Sequence, residues 1–288
     1  VAPNVLKSEV PDGHNANLPV YIGKLIDHVL GHDDDIKNRF YNDFAYIVQK
    51  RTKLITSYLF QGTEGTGKGF LFNNIVRKIF GDRYCSETNM DAFNNRFNSF
   101  LVDNVLVLVS EVSANFASSE KQGLSIIEKM KMAITDRFIQ IEGKNKDRIN
   151  GENNCTFLFA TNRHHGIVLS KDDRRFNVAP RQEIKLHDAN WYPGYNELIN
   201  IVAGELQEFV YYLKQYDVDD SLIGKVIDNE PKRLLQAFST TDADDFFEAV
   251  NIGDVSWFRD NVIAKDNYNG GEKLMEINRL IGNLCNSD

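Results

Sequence analysis

Residues 59–72 read LFQGTEGTGKGFLF, with Gly62, Gly65, Gly67 and Gly69 inside eight positions and Lys68 between the last two. Glycine lets consecutive backbone N–H groups turn toward an anion and lets that anion come close. A helix starting where such a loop ends adds positive partial charge. Lys68 would supply a point charge for the β- and γ-phosphates of a nucleotide. The spacing Gly62-x4-Gly67-Lys68 fits a phosphate-binding loop, lined by Gly62, Thr63, Glu64, Gly65, Thr66, Gly67, Lys68, Gly69 and Phe70. That pattern places a Ser or Thr after the lysine; here Gly69 follows. The alternative is an ordinary strand-to-helix turn that needs flexible residues. The flanks favour the first reading, because LITSYLF reads as a buried strand and GFLFNNIVRKIF as a helix.

Three further stretches end in polar groups suited to the same chemistry. The apolar run VLVLVSEV (105–112) delivers Ser110 and Glu111. A carboxylate there can polarise a water for attack on a γ-phosphate or help hold Mg2+; alternatively it is a solvated strand end. CTFLFATN ends in Thr161 and Asn162, and an amide can both donate and accept; alternatively Asn162 is a turn residue. A third strand beside the first two would bring Asn162 next to Glu111. SKDDRRFNV sets Arg174 and Arg175 beside Asp172 and Asp173. They form either a screened ion cluster or an arginine finger that reaches the γ-phosphate of a neighbouring subunit.

Between the last two apolar runs lies RFIQIEGKNKDRINGENNCTF. Phe138, Ile139 and Ile141 read as strand, GKNKD as a turn, and Arg148 with Ile149 as the return. Lys144 and Lys146 at the tip, with Arg148 nearby, suit contact with a nucleic-acid backbone, which is sequence-independent. The alternative is a merely polar tip.

The elements that must position these groups follow from hydrophobic spacing. Residues 18–50 read as helical, with Ile36, Phe40, Phe44, Ile47 and Val48 on one face. Asp33, Asp34 and Asp35 suit the helix start as a cap and solvated face; the other reading of that run is a metal site. Strands are expected at 54–60, 105–109 and 155–160, separated by helical stretches. That alternation predicts an α/β fold with a mostly parallel sheet. YNELINIVAGELQEFVYYLKQY carries a sustained apolar stripe, and 231–250 and 272–285 read as further helices, with a loop at 266–272. The expected organisation is a leader and helical segment at 1–50, a phosphate-loop core at 51–195 and a helical portion at 196–288.

The chain has 288 residues, 42% hydrophobic and 26% charged, ordinary values for a globular protein. The formal net charge is −8, from 33 basic and 41 acidic residues. That argues against a broad nucleic-acid-binding face but leaves room for a small basic loop in a channel. No run of about 18 apolar residues predicts a membrane span, and no signal-peptide pattern opens the chain. Cys85, Cys155 and Cys285 are scattered and odd in number. This argues against a disulfide framework or zinc site and for a reducing cytosol. Val1 in place of Met suggests a fragment of a longer protein whose N-terminal partner domain lies elsewhere.

Taken in order, the motifs resemble superfamily 3 helicases, AAA+-like hexameric ATPases, in the branch of phage and plasmid primase-helicases and primase-polymerases. The likeness covers roughly 35–180 through motifs. GTEGTGKG matches the first nucleotide motif with Lys68, VLVLVSE the second with Glu111, KMAITDRFIQIEGKNKD the hairpin with Lys144 and Lys146, FLFATN the sensor with Asn162, and DDRRF the finger region. The resemblance implies a replication protein of a phage or mobile element in the host bacterial cytosol. Its cofactors would be ATP and Mg2+, its partner single-stranded DNA at a fork, and its assembly a homohexameric ring. It also implies 3′-to-5′ movement and a primase-polymerase domain before Val1. Two positions depart from the pattern: Gly69 lacks the metal-binding hydroxyl, and Ser110 stands where an Asp is common. Mg2+ would then be held mainly by phosphates and waters, with Ser110 or Glu111 assisting. Two rivals remain, an ATPase that remodels proteins and a nucleotide-binding scaffold without turnover.

Overall fold

A computed structural model describes residues 5–94, 104–112, 120–141, 149–164, 166–167 and 169–238. The chain divides into two compact units, Val1–Phe238 and Ser239–Asp288. The described residues belong to the first. The helices expected beyond Phe238 and the loop at 266–272 lie outside the described residues.

The sheet is built from β1 (Ser57–Gln61), β2 (Cys85–Thr88), β3 (Leu106–Val109), β6 (Thr156–Thr161) and β7 (Phe176–Val178), in the order β2-β3-β6-β1-β7. Every pairing in it is parallel. A separate antiparallel pair, β4 (Phe138–Ile141) and β5 (Ile149–Glu152), forms the expected hairpin.

Parallel strands buried on both faces read as unbroken apolar runs, and side chains still alternate between faces. Tyr58, Phe60, Leu106, Leu108, Leu158 and Ala160 enter one core. Leu59, Val107, Val109, Phe157 and Phe159 enter the other. The first core is closed by α1 (Val20–Val29), α2 (Asp34–Lys50), α3 (68–80) and α5 (Tyr195–Gln215). The second is closed by α4 (Glu120–Thr135) and, through Leu235, α6 (Glu230–Phe238). Asp33 caps α2, its carboxylate accepting from the N–H groups of Asp35 (3.0 Å) and Ile36 (3.1 Å). The expected single helix after the phosphate loop is α3, which runs as α Lys68–Leu71, π Phe72–Val76 and α Arg77–Phe80.

The hairpin's foot is fastened under the sheet. Asn153 N–H donates to Arg137 O (2.7 Å), and Asn153 Nδ2 to Ala133 O (2.7 Å) and Asp136 O (2.9 Å). Lys53 Nζ reaches the same two carbonyls at 3.1 Å each, capping the C-terminus of α4.

Candidate functional site

Parallel pairing ends three strands at one level. Val109 pairs with Phe159, and Gln61 with Thr161. The residues that follow, Ser110–Glu111, Asn162 and Gly62, therefore emerge together at the C-terminal edge, where ligands of open α/β sheets bind. Backbone bonds seal this edge: Gly62 N–H donates to Thr161 O (3.2 Å) and Val112 N–H to Ala160 O (3.1 Å). Thr161 Oγ1 donates to Val112 O (2.7 Å).

A cleft of about 620 Å3 opens there, lined by Glu64 through Phe70, Ser110, Glu111 and Asn162. The structure thus brings Lys68, Ser110, Glu111 and Asn162 into one cavity. Gly62 and Thr63 form the loop's base. A Cβ on Gly62 would lie 2.6 Å from Gln182 O, so only glycine fits there. Gly67 holds φ +92°, a left-handed conformation that suits glycine.

Lys68 is buried, and its Nζ donates to Gly62 O (2.9 Å), Thr63 O (2.9 Å) and Thr66 Oγ1 (3.0 Å). These acceptors are uncharged. Burial, and then the nearby charge of Arg181, lower its pKa to about 8. An ammonium so placed has its charge uncompensated by any bonded anion, which fits a phosphate oxygen. Gly69 faces open space, with no atom within 4 Å of an added Cβ.

Glu111 is exposed and sits at φ +56°, a strained conformation for a non-glycine residue. The Ser110 hydroxyl donates to Thr88 O (3.1 Å). Asn162 is exposed, and its backbone carbonyl accepts from Arg181 Nη2 (3.0 Å). Among the described residues, no three His, Cys, Asp or Glu side chains cluster as a metal site.

Arg174 and Arg175 do not line this cleft. They precede β7, whose Phe176 pairs with Ser57 at the start of β1, so they stand at the opposite edge of the sheet. Lys144, Lys146 and Arg148 lie outside the described residues.

Sequence reasoning missed several lining residues: Asn73, Asn74, Glu87, His187, Tyr192 and Tyr195. Asn73 and Asn74 share the π turn of α3, a feature frequent at functional sites. Two consecutive amides inside an apolar helix were the available signal. Tyr195 is 60% exposed and meets the Phe70 ring edge-on at 5.9 Å.

Comparison with known proteins adds to this geometry. A model described as a family of unknown function (DUF5906) matches residues 60–175, the stretch from β1 to the arginine pair. The chain is 27% identical over 246 residues to the DNA primase-polymerase of Nitratiruptor phage NrS-1. That match covers 85% of this chain and 33% of that protein, so the chain spans a third of its relative's length. An apo structure of the NrS-1 C-terminal region superposes with TM-score 0.78 at 25% identity, covering 95% of this chain and 65% of that one. A second apo form gives TM-score 0.75 at 24% identity, covering 95% and 64%. The α/β fold, with its five-stranded parallel sheet between helices, is therefore the fold of that phage region. No described helix is long and apolar enough to cross a membrane.

Proposed function

We propose that this chain is the ATP-hydrolysing motor portion of a phage-type replication protein that works on single-stranded DNA. The observation that carries the reading is the convergence of Lys68, Glu111 and Asn162 on one cleft at the C-terminal edge of the sheet. The likeness to the NrS-1 primase-polymerase supports the replication context.

In this reading Lys68 exchanges its three loop acceptors for phosphate oxygens, and backbone N–H groups of Gly65–Gly69 hold the remaining charge. Glu111 accepts the proton of the attacking water, and Asn162 orients that water by donating and accepting at once. Mg2+, when bound with the nucleotide, neutralises phosphate charge. Ser110 and Glu111 are the residues of this chain placed to assist it, and the cleft leaves room for its waters. Arg174 or Arg175 acts on a neighbouring copy, since both stand at the edge away from their own cleft. A homohexameric ring supplies such a neighbour. Lys144, Lys146 and Arg148 on the hairpin contact DNA phosphates.

The test is ATP hydrolysis with and without single-stranded DNA, in wild type and Lys68→Ala. Hydrolysis stimulated by DNA and lost in the variant is the expected result. Hydrolysis indifferent to DNA would favour protein remodelling, and nucleotide binding without turnover would favour a scaffold.

A further inference from the structure

The arginine pair sits in a short loop, and that loop is held from outside the sheet. Asp173 lies in it, 6% exposed, and its Oδ1 accepts from Arg175 N–H and Phe176 N–H at 3.0 Å each. Asp173 N–H turns back to Ser170 O at 3.0 Å, and Arg175 O accepts from Ser57 N–H at 2.7 Å. The loop is thus a tight turn pinned to β1 at its far end.

Helix α6 grips the other side. Lys232, only 3% exposed, donates to Asp173 O at 2.6 Å and stands 3.6 Å from Asp173 Oδ1. Gln236 Nε2 donates to Ser170 O (2.9 Å) and Lys171 O (2.8 Å). Asn229, at the head of α6, ties the helix to β7 through Val178 O (2.8 Å). Three of the four loop positions from 170 to 173 therefore give their carbonyls to one helix. A buried ion pair is a poor source of stability because desolvation offsets its attraction. An apolar pair at 173 and 232 would pack as well; what the charged pair adds is a fixed geometry. Of the two arginines it frames, Arg174 is exposed, whereas Arg175 is half-buried with its Nε enclosed.

We infer that Lys232 and Gln236 are positioning residues that hold the 170–175 loop so that Arg174 reaches the nucleotide of a neighbouring subunit. The inference rests on the ATPase reading above. It makes α6 part of the neighbour's active site without touching substrate.

The experiment compares the full chain with Arg174→Ala, Lys232→Met and Gln236→Ala, measuring affinity for a fluorescent ATP analogue, DNA-stimulated kcat and assembly size. Misplacing a reacting group by an ångström costs roughly a hundredfold in rate. Lys232→Met should therefore lose roughly a hundredfold in kcat and Gln236→Ala roughly tenfold, with nucleotide affinity and assembly unchanged. Each variant is then mixed with Lys68→Ala subunits, which lack a working loop lysine but carry an intact arginine loop. A defect in the loop acts in trans, so mixing should restore turnover, as it should for Arg174→Ala. Gln236 contributes little to the fold, so its variant keeps the test valid if Lys232→Met fails to fold. Full activity of Gln236→Ala beside an inactive Arg174→Ala would overturn the positioning role. So would a loss that mixing does not restore. Full activity of Arg174→Ala would remove the finger itself, and wild type without turnover would remove the ATPase reading beneath both.

Discussion

Arg181 and Asn162 are joined directly: Arg181 Nη2 donates to the Asn162 carbonyl at 3.0 Å. The same guanidinium donates through Nε to Glu183 Oε1 at 2.7 Å, and its charge bears on Lys68. One side chain thus links the tip of β6 to the lysine of the phosphate loop, though no motif marks it.

Nucleotide affinity should depend on pH through Lys68. Its pKa is lowered to about 8, chiefly by burial, so the ammonium that a phosphate needs is lost above that pH. Binding of a fluorescent ATP analogue should weaken about tenfold between pH 7 and 9.5, the order of one charge-assisted contact. Arg181→Gln should move the break upward by removing a repelling charge. The fold has the opposite dependence. A lysine whose pKa is lowered on folding binds fewer protons folded than unfolded between about 8 and 10.5, so stability rises with pH in that window. Lys68→Met should flatten the rise in denaturant titrations.

Gly69→Thr should offer Mg2+ a protein hydroxyl and so relax its reliance on phosphates and waters. The added Cβ enters open space, so the thermal midpoint should hold or rise slightly, since glycine is a poor helix residue. With a hydroxyl available, half-maximal hydrolysis should need less Mg2+, by roughly tenfold, the worth of one hydrogen bond to a charged group. An unchanged Mg2+ requirement would mean that position 69 does not face the metal.

Glu111 sets function against stability. Its left-handed backbone costs an L-residue about 1–2 kcal/mol, so Glu111→Gly should raise the melting temperature. Both Glu111→Gly and Glu111→Gln should lower kcat, by about 10²- to 10⁴-fold if the carboxylate is the base. Only the glycine variant should gain stability. Calorimetry beside turnover assays separates the two effects.

A second buried carboxylate gives a stability test independent of nucleotide. Burial pushes Asp43 up to about 6, against the hydrogen bond from Tyr58 Oη at 2.7 Å. The folded chain then binds a proton more tightly than the unfolded one, so stability falls as pH rises from about 4 to 6. Asp43→Asn should remove that slope and add on the order of 1–2 kcal/mol at pH 7. Denaturation midpoints at pH 4.5 and 7 would show it; an unchanged slope would refute it.

The central strands and their polar tips were legible because β1, β3 and β6 are buried on both faces. That burial demands apolar runs, and the groups that end those runs fall at the site. The flanking strands were not. β2 reads CSET and β7 reads FNV, too short and polar to show a pattern, and they hold by pairing on one side with a strand already in place. Lys232 was hidden for another reason. Lysine reads as solvent-facing, and only the approach of α6 to the 170–175 loop buries it. Arg181 and Tyr195 act across 19 residues and more than a hundred, distances that no local spacing encodes.

The hairpin's foot ends at Asn153 just before β6 begins, and β6 ends at Thr161 just before Asn162. Six residues of extended chain span about 20 Å, flanked by β3 along Thr156–Phe159 and by β1 along Leu158–Thr161. In mechanical terms β6 is a push-rod, stiff along its axis and guided on both flanks. A displacement of Asn162 along β6 would meet the hairpin's anchorage across only Asn154 and Cys155, with Cys155 N–H bonded back to Asn153 Oδ1 at 3.1 Å.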